Sequence, residues 1–163
     1  MRNIFLSLGS NLGNRLEYLH KARTLLAAEA GQIKAVSDVY ETEPWGHQSE
    51  STFYNQVIEI ETGQDPVKLL NTIQHVEMHC GRIRSDRQYA ARTMDIDILF
   101  YNTEHMEKGN LVIPHPLLHL RRFVLMPLAD IAPLFIHPLL GVSMKDLLDA
   151  CHDDKKILQR LKR

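Results

Sequence analysis

Apolar and polar positions change period several times along this chain, and each change marks an element. Residues 3–8, NIFLSL, form an apolar run with strand character and are expected to lie centrally in a sheet. LGSNLGN then turns the chain, and Asn14 with Glu17 three residues on has the form of a helix-capping box. Leu16, Leu19, Leu26 and several alanines supply a buried helical stripe to about Ala30, where Gly31 stops the helix. From Ile33 to Thr42 the pattern alternates with period two, which predicts one strand. EPWGHQSES is a loop marked by Pro44 and Gly46. FYNQVIEIET, residues 53–62, is a second alternating strand. Asp65 followed by Pro66 starts a helix that runs to about Cys80, with Leu69, Ile73, Val76 and Cys80 facing the core.

GRIRSDRQYAAR, residues 81–92, holds four arginines and almost no large aliphatic residues, so it is expected to be a long mobile loop. A strand follows in DIDILFY, with Ile96, Ile98 and Phe100 on one face. Then come a polar turn, TEHMEKGN, and LVIPHP. RRFVLMPLADIAP begins as a short helix or turn and ends in a loop at Pro133. Ser143 caps a short helix over MKDLLDAC, and the basic tail KKILQRLKR is expected to be a solvated helix or a frayed end. The order β-α-β-β-α-β predicts an α+β fold of ferredoxin-like type. It is a two- or three-layer sandwich whose mainly antiparallel sheet is covered by helices on one face, with a C-terminal extension. With no internal repeat, linker or low-complexity segment, residues 1–163 are expected to form a single domain.

Composition narrows the function classes. A formal net charge of −1 argues against a protein that coats nucleic acid by bulk electrostatics. No apolar run is long enough to span a membrane, and the N-terminus lacks the pattern of a signal peptide. Cys80 and Cys151 make no disulfide framework; two free thiols in a reducing cytoplasm are expected. His75 and His79 are spaced i, i+4 in QHVEMHC, but the zinc-protease motif needs Glu directly after the first histidine, and Val76 stands there. Solvated helix histidines are the expectation.

The chemistry concentrates around ARTMDIDILFY. Aspartate is disfavoured in strands, yet Asp95 and Asp97 occupy one strand face two residues apart, roughly 7 Å between them. Two carboxylates so placed can converge on a hard cation, and magnesium takes one or two protein carboxylates together with substrate phosphates. Arg82, Arg84, Arg87 and Arg92 lead into that strand, and Arg121 and Arg122 come later beside Phe123. Guanidinium groups fork onto phosphate oxygens. Acids for metal and arginines for phosphate suit a nucleotide-phosphate enzyme, although neither a P-loop nor a dinucleotide-binding glycine motif is present. Phe53 and Asn55 share a strand face, where a ring can stack on a flat heterocycle and an amide can bond its edge. Phe123 offers a second ring. His115, between two prolines, can donate to a phosphate.

Together, LSLGSNLGNR, YETEPWG, FYNQVIEIET, GRIR, RTMDIDILFY and IPHP…RRFVLMPLADIAP resemble the 6-hydroxymethyl-7,8-dihydropterin pyrophosphokinase family in order and spacing, over nearly the whole chain. The resemblance implies transfer of pyrophosphate from ATP to the pterin hydroxymethyl group with release of AMP, a step of folate biosynthesis that uses two magnesium ions. It further implies Asp95 and Asp97 as metal ligands and catalytic residues, with Arg82 and Arg92 meeting the phosphates. Gln74, Glu77, Arg84, His115 and Arg121 match the ATP site. Phe53, Asn55 and Phe123, with backbone groups of Thr42, Glu43 and Trp45, match the pterin pocket. A cytoplasmic monomer acting on small molecules, with no nucleic acid or membrane partner, is the expectation. Many members carry Trp-Gly-Pro before the motif arginine; here Tyr89-Ala90-Ala91 stands there, which bears on loop kinetics and not on reaction type. Rival readings are an RNA-binding module, another ATP-dependent transferase and an inactive relative. The near-neutral charge and the paired acids oppose the first, pterin binding would separate the second, and the acids and matched arginines oppose the third.

Overall fold

The computed structural model describes residues 3–44, 51–82 and 93–163. Strand β1 (Ile4–Ser10) leads to helix α1 (Arg15–Glu29), whose cap is as expected. Asn14 accepts from the Glu17 N–H at 3.2 Å and donates its amide to the Glu17 carboxylate at 3.0 Å. The buried stripe of α1 is Leu19, Ala22 and Leu26, whereas Leu16 is 48 % exposed, one turn too early to reach the sheet. The helix ends at Glu29 with Ala30 as its C-cap, and only glycine fits at position 31, where a Cβ would stand 2.2 Å from the Glu61 carbonyl oxygen.

The alternating stretch from Ile33 to Thr42 is two strands, β2 (Gln32–Val36) and β3 (Val39–Thr42). Both pair with β4 (Phe53–Glu61), and the break falls at Ser37. Ser37 turns inward: its Oγ accepts from the Val57 N–H at 2.9 Å and its N–H donates to the Val57 carbonyl. Helix α2 (Pro66–His79) is capped by Asp65, and Leu69, Ile73, Val76 and Cys80 are all buried as the spacing predicts. Strand β5 (Asp95–Tyr101) follows. The polar stretch after it is a hairpin, β6 (Met106–Lys108) with β7 (Leu111–Ile113). Helix α3 (Arg122–Ile131) and helix α4 (Met144–Asp149), the latter capped by Ser143, come next. The basic tail, expected as helix or frayed end, is strand β8 (Ile157–Leu161).

Among the described residues the main sheet has the order β5-β1-β4-β3-β8, with β2 beside β3 on β4, and every pairing is antiparallel. The expected central place of β1 and the antiparallel sheet are both observed. One face buries Ile4, Leu6, Leu8, Ile58 and Ile60 against α1 and α2. The extension covers the other face, where the sequence pattern predicted no helix: α3 and α4 pack Val124, Leu125, Leu128 and Met144 onto Phe5, Val57, Leu99 and Phe100. Phe100 belongs to this second core and not, as its spacing from Ile98 implied, to the first. The register steps from Leu6↔Ile98 to Phe5↔Phe100, so β5 holds one extra residue and its period-two pattern inverts there. Cys80 and Cys151 are buried and unbridged.

Candidate active site

The second face of the sheet is apolar only under α3 and α4. Toward the Ser10 end of β1 that cover stops and the face turns polar. Pairing fixes two rows across it. Gly9 lies opposite Asn55 on one side and Asp95 on the other; Ser7 lies opposite Val57 and Asp97. Strands about 4.8 Å apart put Asn55 and Asp95 roughly 10 Å from each other across the glycine. A Cβ on Gly9 would meet Asn55 Oδ1 at 3.2 Å and the Phe53 ring at 3.8 Å. Glycine therefore makes the floor on which the Phe53 ring and the Asn55 amide stand. Asn55 is 3 % exposed and oriented by its neighbour: Nδ2 donates to Thr42 Oγ1 at 2.7 Å. Thr42, Phe53 and Asn55 are thus brought together, Thr42 through its side chain. The Glu43 N–H donates to the Lys156 carbonyl at 3.2 Å, so what its backbone can offer a ligand is the carbonyl.

The acidic side is built around the end of α2. Arg82 bridges Glu77 and Asp95, reaching Asp95 Oδ1 at 2.8 Å. Glu77, 5 % exposed, also accepts from the Ile96 N–H at 2.8 Å and so ties α2 to β5. Burial pushes the Glu77 carboxyl up to about 7, against the Arg82 charge and the Ile96 hydrogen bond. Gln74 lies one turn back on α2, half-buried. Desolvation, and then the Asp95 charge, push the Asp97 carboxyl up to about 7, with Arg121 and Arg82 opposing.

His115 faces Asp97, Nε2 to Oδ2 at 4.0 Å. Its N–H is fixed on the Leu99 carbonyl at 3.0 Å, and its Nδ1 accepts from the Leu117 N–H at 3.2 Å. The proton of the neutral ring is then on Nε2, toward the acids. Burial, with the Arg121 charge second, holds this imidazole down at about 4, so it stays neutral at physiological pH. Arg121 precedes α3, with its guanidinium carbon 5.7 Å from the centre of the Phe123 ring, and Phe123 packs on the edge of the second core.

Asp95, Asp97, Arg82, Glu77, His115 and Arg121 thus gather at one end of the sheet, beside Phe53, Asn55, Thr42 and Phe123. Trp45, Arg84 and Arg92, with Arg87 and Tyr89-Ala90-Ala91, lie outside the described residues. The sequence pattern places Gly9 in a turn and gives Ser7 no role, whereas both belong to β1. The available signal was glycine and serine alternating with leucine in SLGSNLG, a run of small residues on one strand face. The histidine pair of α2 has separate partners: His75 Nδ1 meets Glu29 at 2.8 Å and His79 Nδ1 meets the His75 carbonyl.

A family model described as 7,8-dihydro-6-hydroxymethylpterin-pyrophosphokinase (HPPK) matches residues 5–133. The chain belongs to the HPPK family. It is 43 % identical over 133 residues to a 2-amino-4-hydroxy-6-hydroxymethyldihydropteridine pyrophosphokinase of Bacillus subtilis, covering 80 % of this chain and 79 % of that one. It is 38 % identical over 146 residues to the protein of that name from Aquifex aeolicus, covering 90 % of each. The folic acid synthesis protein fol1 of Pneumocystis carinii is 34 % identical over 157 residues, which are 95 % of this chain and 21 % of that protein. Among solved structures, wild-type HPPK-DHPS of Plasmodium falciparum in complex with STZ-DHP superposes with a TM-score of 0.74 at 19 % identity, over 92 % of this chain and 43 % of the other. This chain therefore spans less than half of that fused protein, and the likeness is one of fold. HPPK domains are ferredoxin-like, which agrees with the order of elements in this chain.

Proposed function

We propose that this HPPK-family chain transfers pyrophosphate from ATP to the hydroxymethyl group of 6-hydroxymethyl-7,8-dihydropterin and releases AMP, in folate biosynthesis. The observation that carries the reading is the glycine-floored row Asn55–Gly9–Asp95, which sets a flat, amide-lined slot beside a pair of carboxylates. The slot holds the pterin between the Phe53 and Phe123 rings, with the Asn55 amide on the heterocycle edge. The hydroxymethyl group then points along the row toward Asp95 and Asp97.

The hydroxyl oxygen forms a bond to the β-phosphorus, the bond from that phosphorus to the α,β-bridging oxygen breaks with AMP leaving, and the hydroxyl proton is released. Such a displacement needs positioning and charge neutralisation more than covalent help from the protein. Arg121, Arg82 and the Arg84 and Arg92 side chains supply positive charge for the phosphates. The neutral His115 ring supplies an Nε2–H donor. Gln74 and Glu77 line the nucleotide side.

The acids fit magnesium. Their donors are oxygen, two in number on one face, and burial together with the Asp95 charge raises the Asp97 carboxyl, a cost that a bound cation would offset. No group of three or more metal-ligating side chains occurs among the described residues, which suits an ion that completes its shell with phosphate and water. Asp95 and Asp97 would hold two such ions, whose chemistry is to neutralise the triphosphate and orient it. We place this activity in a single domain, residues 1–163, acting as a cytoplasmic monomer on small molecules without nucleic acid or membrane. The test is AMP release from ATP and the pterin, with magnesium and with a chelator. Magnesium-dependent AMP, equimolar with pterin consumed, is expected; no AMP from a chain that binds both substrates would overturn the proposal.

A further inference from the structure

The family match ends at residue 133, yet the segment beyond it touches both walls of the slot. One wall is the end of β3, where Thr42 orients Asn55. Its continuation is clasped by Lys156: the Glu43 N–H donates to the Lys156 carbonyl at 3.2 Å, and the Lys156 N–H donates to the Glu43 carboxylate at 3.0 Å. The other wall is the start of α3, which carries Arg121 and Phe123. Helix α3 lacks the usual N-terminal devices: Arg121 at its N-cap makes no side-chain cap bond, and its first turn holds no acid. Asp153 supplies the cap from outside. Its Oδ2 accepts from the Arg122 N–H at 2.9 Å, and its other carboxylate oxygen accepts from the Lys155 N–H at 3.0 Å. The Arg122 guanidinium returns along the same segment, to the Cys151 carbonyl at 2.8 Å and the Asp153 carbonyl at 3.3 Å. Strand β8 then anchors the segment through its pairing with β3, from Thr42↔Ile157 to Val39↔Leu161, and through Arg160 on Asp38 at 2.7 Å.

We infer that residues 151–157 form a strap that sets the spacing between the two walls of the pterin slot, with Asp153 as its positioning residue. The inference rests on the assignment of that slot under Proposed function. Asp153 fixes where the Phe123 ring begins, and Lys156 fixes the β3 wall. The two holding points are three residues apart on one short segment, so the gap is determined by a covalent link and not by the sheet alone. A flat bicyclic ring between two aromatic rings is sensitive to that gap, because stacking contacts weaken over fractions of an ångström. On the nucleotide side α2, β5 and His115 take nothing from the strap; only Arg121, adjacent to the capped Arg122, adjoins it.

The test measures dissociation constants for 6-hydroxymethyl-7,8-dihydropterin with a non-hydrolysable ATP analogue and magnesium present, and for the analogue alone, together with Tm. Asp153→Ala should weaken pterin binding roughly tenfold, on the scale of a lost charge-assisted hydrogen bond, and weaken analogue affinity clearly less, by about threefold at most, because only Arg121 of the nucleotide side adjoins the cap. Asp153→Asn, which keeps an acceptor for the Arg122 N–H, should restore most of the loss. Lys156→Pro, which deletes one donor at a strand start where proline is tolerated, should act in the same direction as Asp153→Ala. Unchanged pterin affinity in both Asp153→Ala and Lys156→Pro, in a wild-type chain that turns over, overturns the strap alone. So does a parallel fall of both affinities with Tm, which would make Asp153 a plain helix cap. A wild-type chain that binds no pterin overturns the proposed function and the strap with it.

Discussion

Replacing Asp97 with asparagine should make the protein more stable while removing its activity. In the fold the Asp97 carboxyl has its pKa raised from 3.8 to about 7, chiefly by desolvation and then by the Asp95 charge. At 1.36 kcal/mol for each tenfold change in proton affinity, a rise of that size corresponds to about 4 kcal/mol. The side chain is 45 % accessible, so water screens much of this, and about 1–2 kcal/mol is the figure to expect. The sign follows from linkage. The folded state holds the proton more tightly than the unfolded chain, so the wild type loses stability as pH rises from about 4 to about 7 and the loss is constant above. Asparagine cannot ionise and escapes it.

Chemical denaturation of wild type and Asp97→Asn at pH 4 and pH 8 therefore separates the cause. The variant should match the wild type at pH 4 and exceed it by about 1–2 kcal/mol at pH 8, a Tm gain of about 2–8 °C for a chain of this length. Glu77 and His115 also titrate abnormally; the Glu77 charge is among those that raise the Asp97 carboxyl, so the difference reads Asp97 together with its coupling to these neighbours. A variant no more stable than wild type at pH 8, or a gain that persists unchanged at pH 4, would refute the reasoning. AMP formation by Asp97→Asn should be lost, since the amide cannot replace an anionic magnesium ligand.

Glu77→Ala leaves the buried Ile96 N–H without its acceptor and should cost about 1–3 kcal/mol in denaturation, whereas Glu77→Gln, which keeps an acceptor, should cost clearly less; equal losses would mean that the ion pair with Arg82 dominates. Gly9→Ala puts a methyl 3.2 Å from Asn55 Oδ1 and should weaken pterin binding several-fold, about 1 kcal/mol, with ATP-analogue affinity unchanged; unaltered pterin affinity would remove Gly9 from the floor of the slot. Phe123→Ala should weaken pterin binding by about 1–3 kcal/mol, the scale of one stacking partner, and calorimetric titration showing no change would place that ring outside the slot.

Local signals carried most of the fold and failed where pairing partners decide. Helices α1 and α2 were legible because cap, stripe and stop residues agree at each end. The split at Ser37 was not, since Ser37 and Asp38 keep the period-two pattern while the backbone turns inward to bond Val57. Strand β8 was not legible because Arg160 and the lysines on either side of it are those of a solvated segment; they also suit a sheet edge, where charge discourages further pairing, and only the register with β3 selects the strand. The inverted face at Phe100 depends on one extra residue opposite β1, which no single-strand pattern contains. The acids, Arg82, Arg121 and the aromatic residues of the candidate site stand out in the sequence by type and spacing. Their convergence does not, because Gly9 and Ser7, the small residues that let the rows close, bear no chemistry of their own.

The same face of one sheet is core at one end and candidate site at the other, and its sequence shows how. Along β1 the second-face positions run Phe5, Ser7, Gly9; along β4 they run Val57, Asn55, Phe53; along β5 they run Leu99, Asp97, Asp95. Strands β1 and β5 pass from apolar to small or polar beyond the part that α3 and α4 cover, and β4 turns polar at Asn55 before ending on the Phe53 ring. Uncovered apolar residues there would present a large apolar patch to water, while buried aspartates under the helices would lack any compensating charge. The length of the C-terminal cover and the position of Asp95 and Asp97 are therefore not independent. A second helical layer extended by one turn toward Gly9 would close the slot, and one shortened by a turn would leave Phe5, Val57 and Leu99 exposed. The extension thus bounds the proposed site as well as stabilising the sheet.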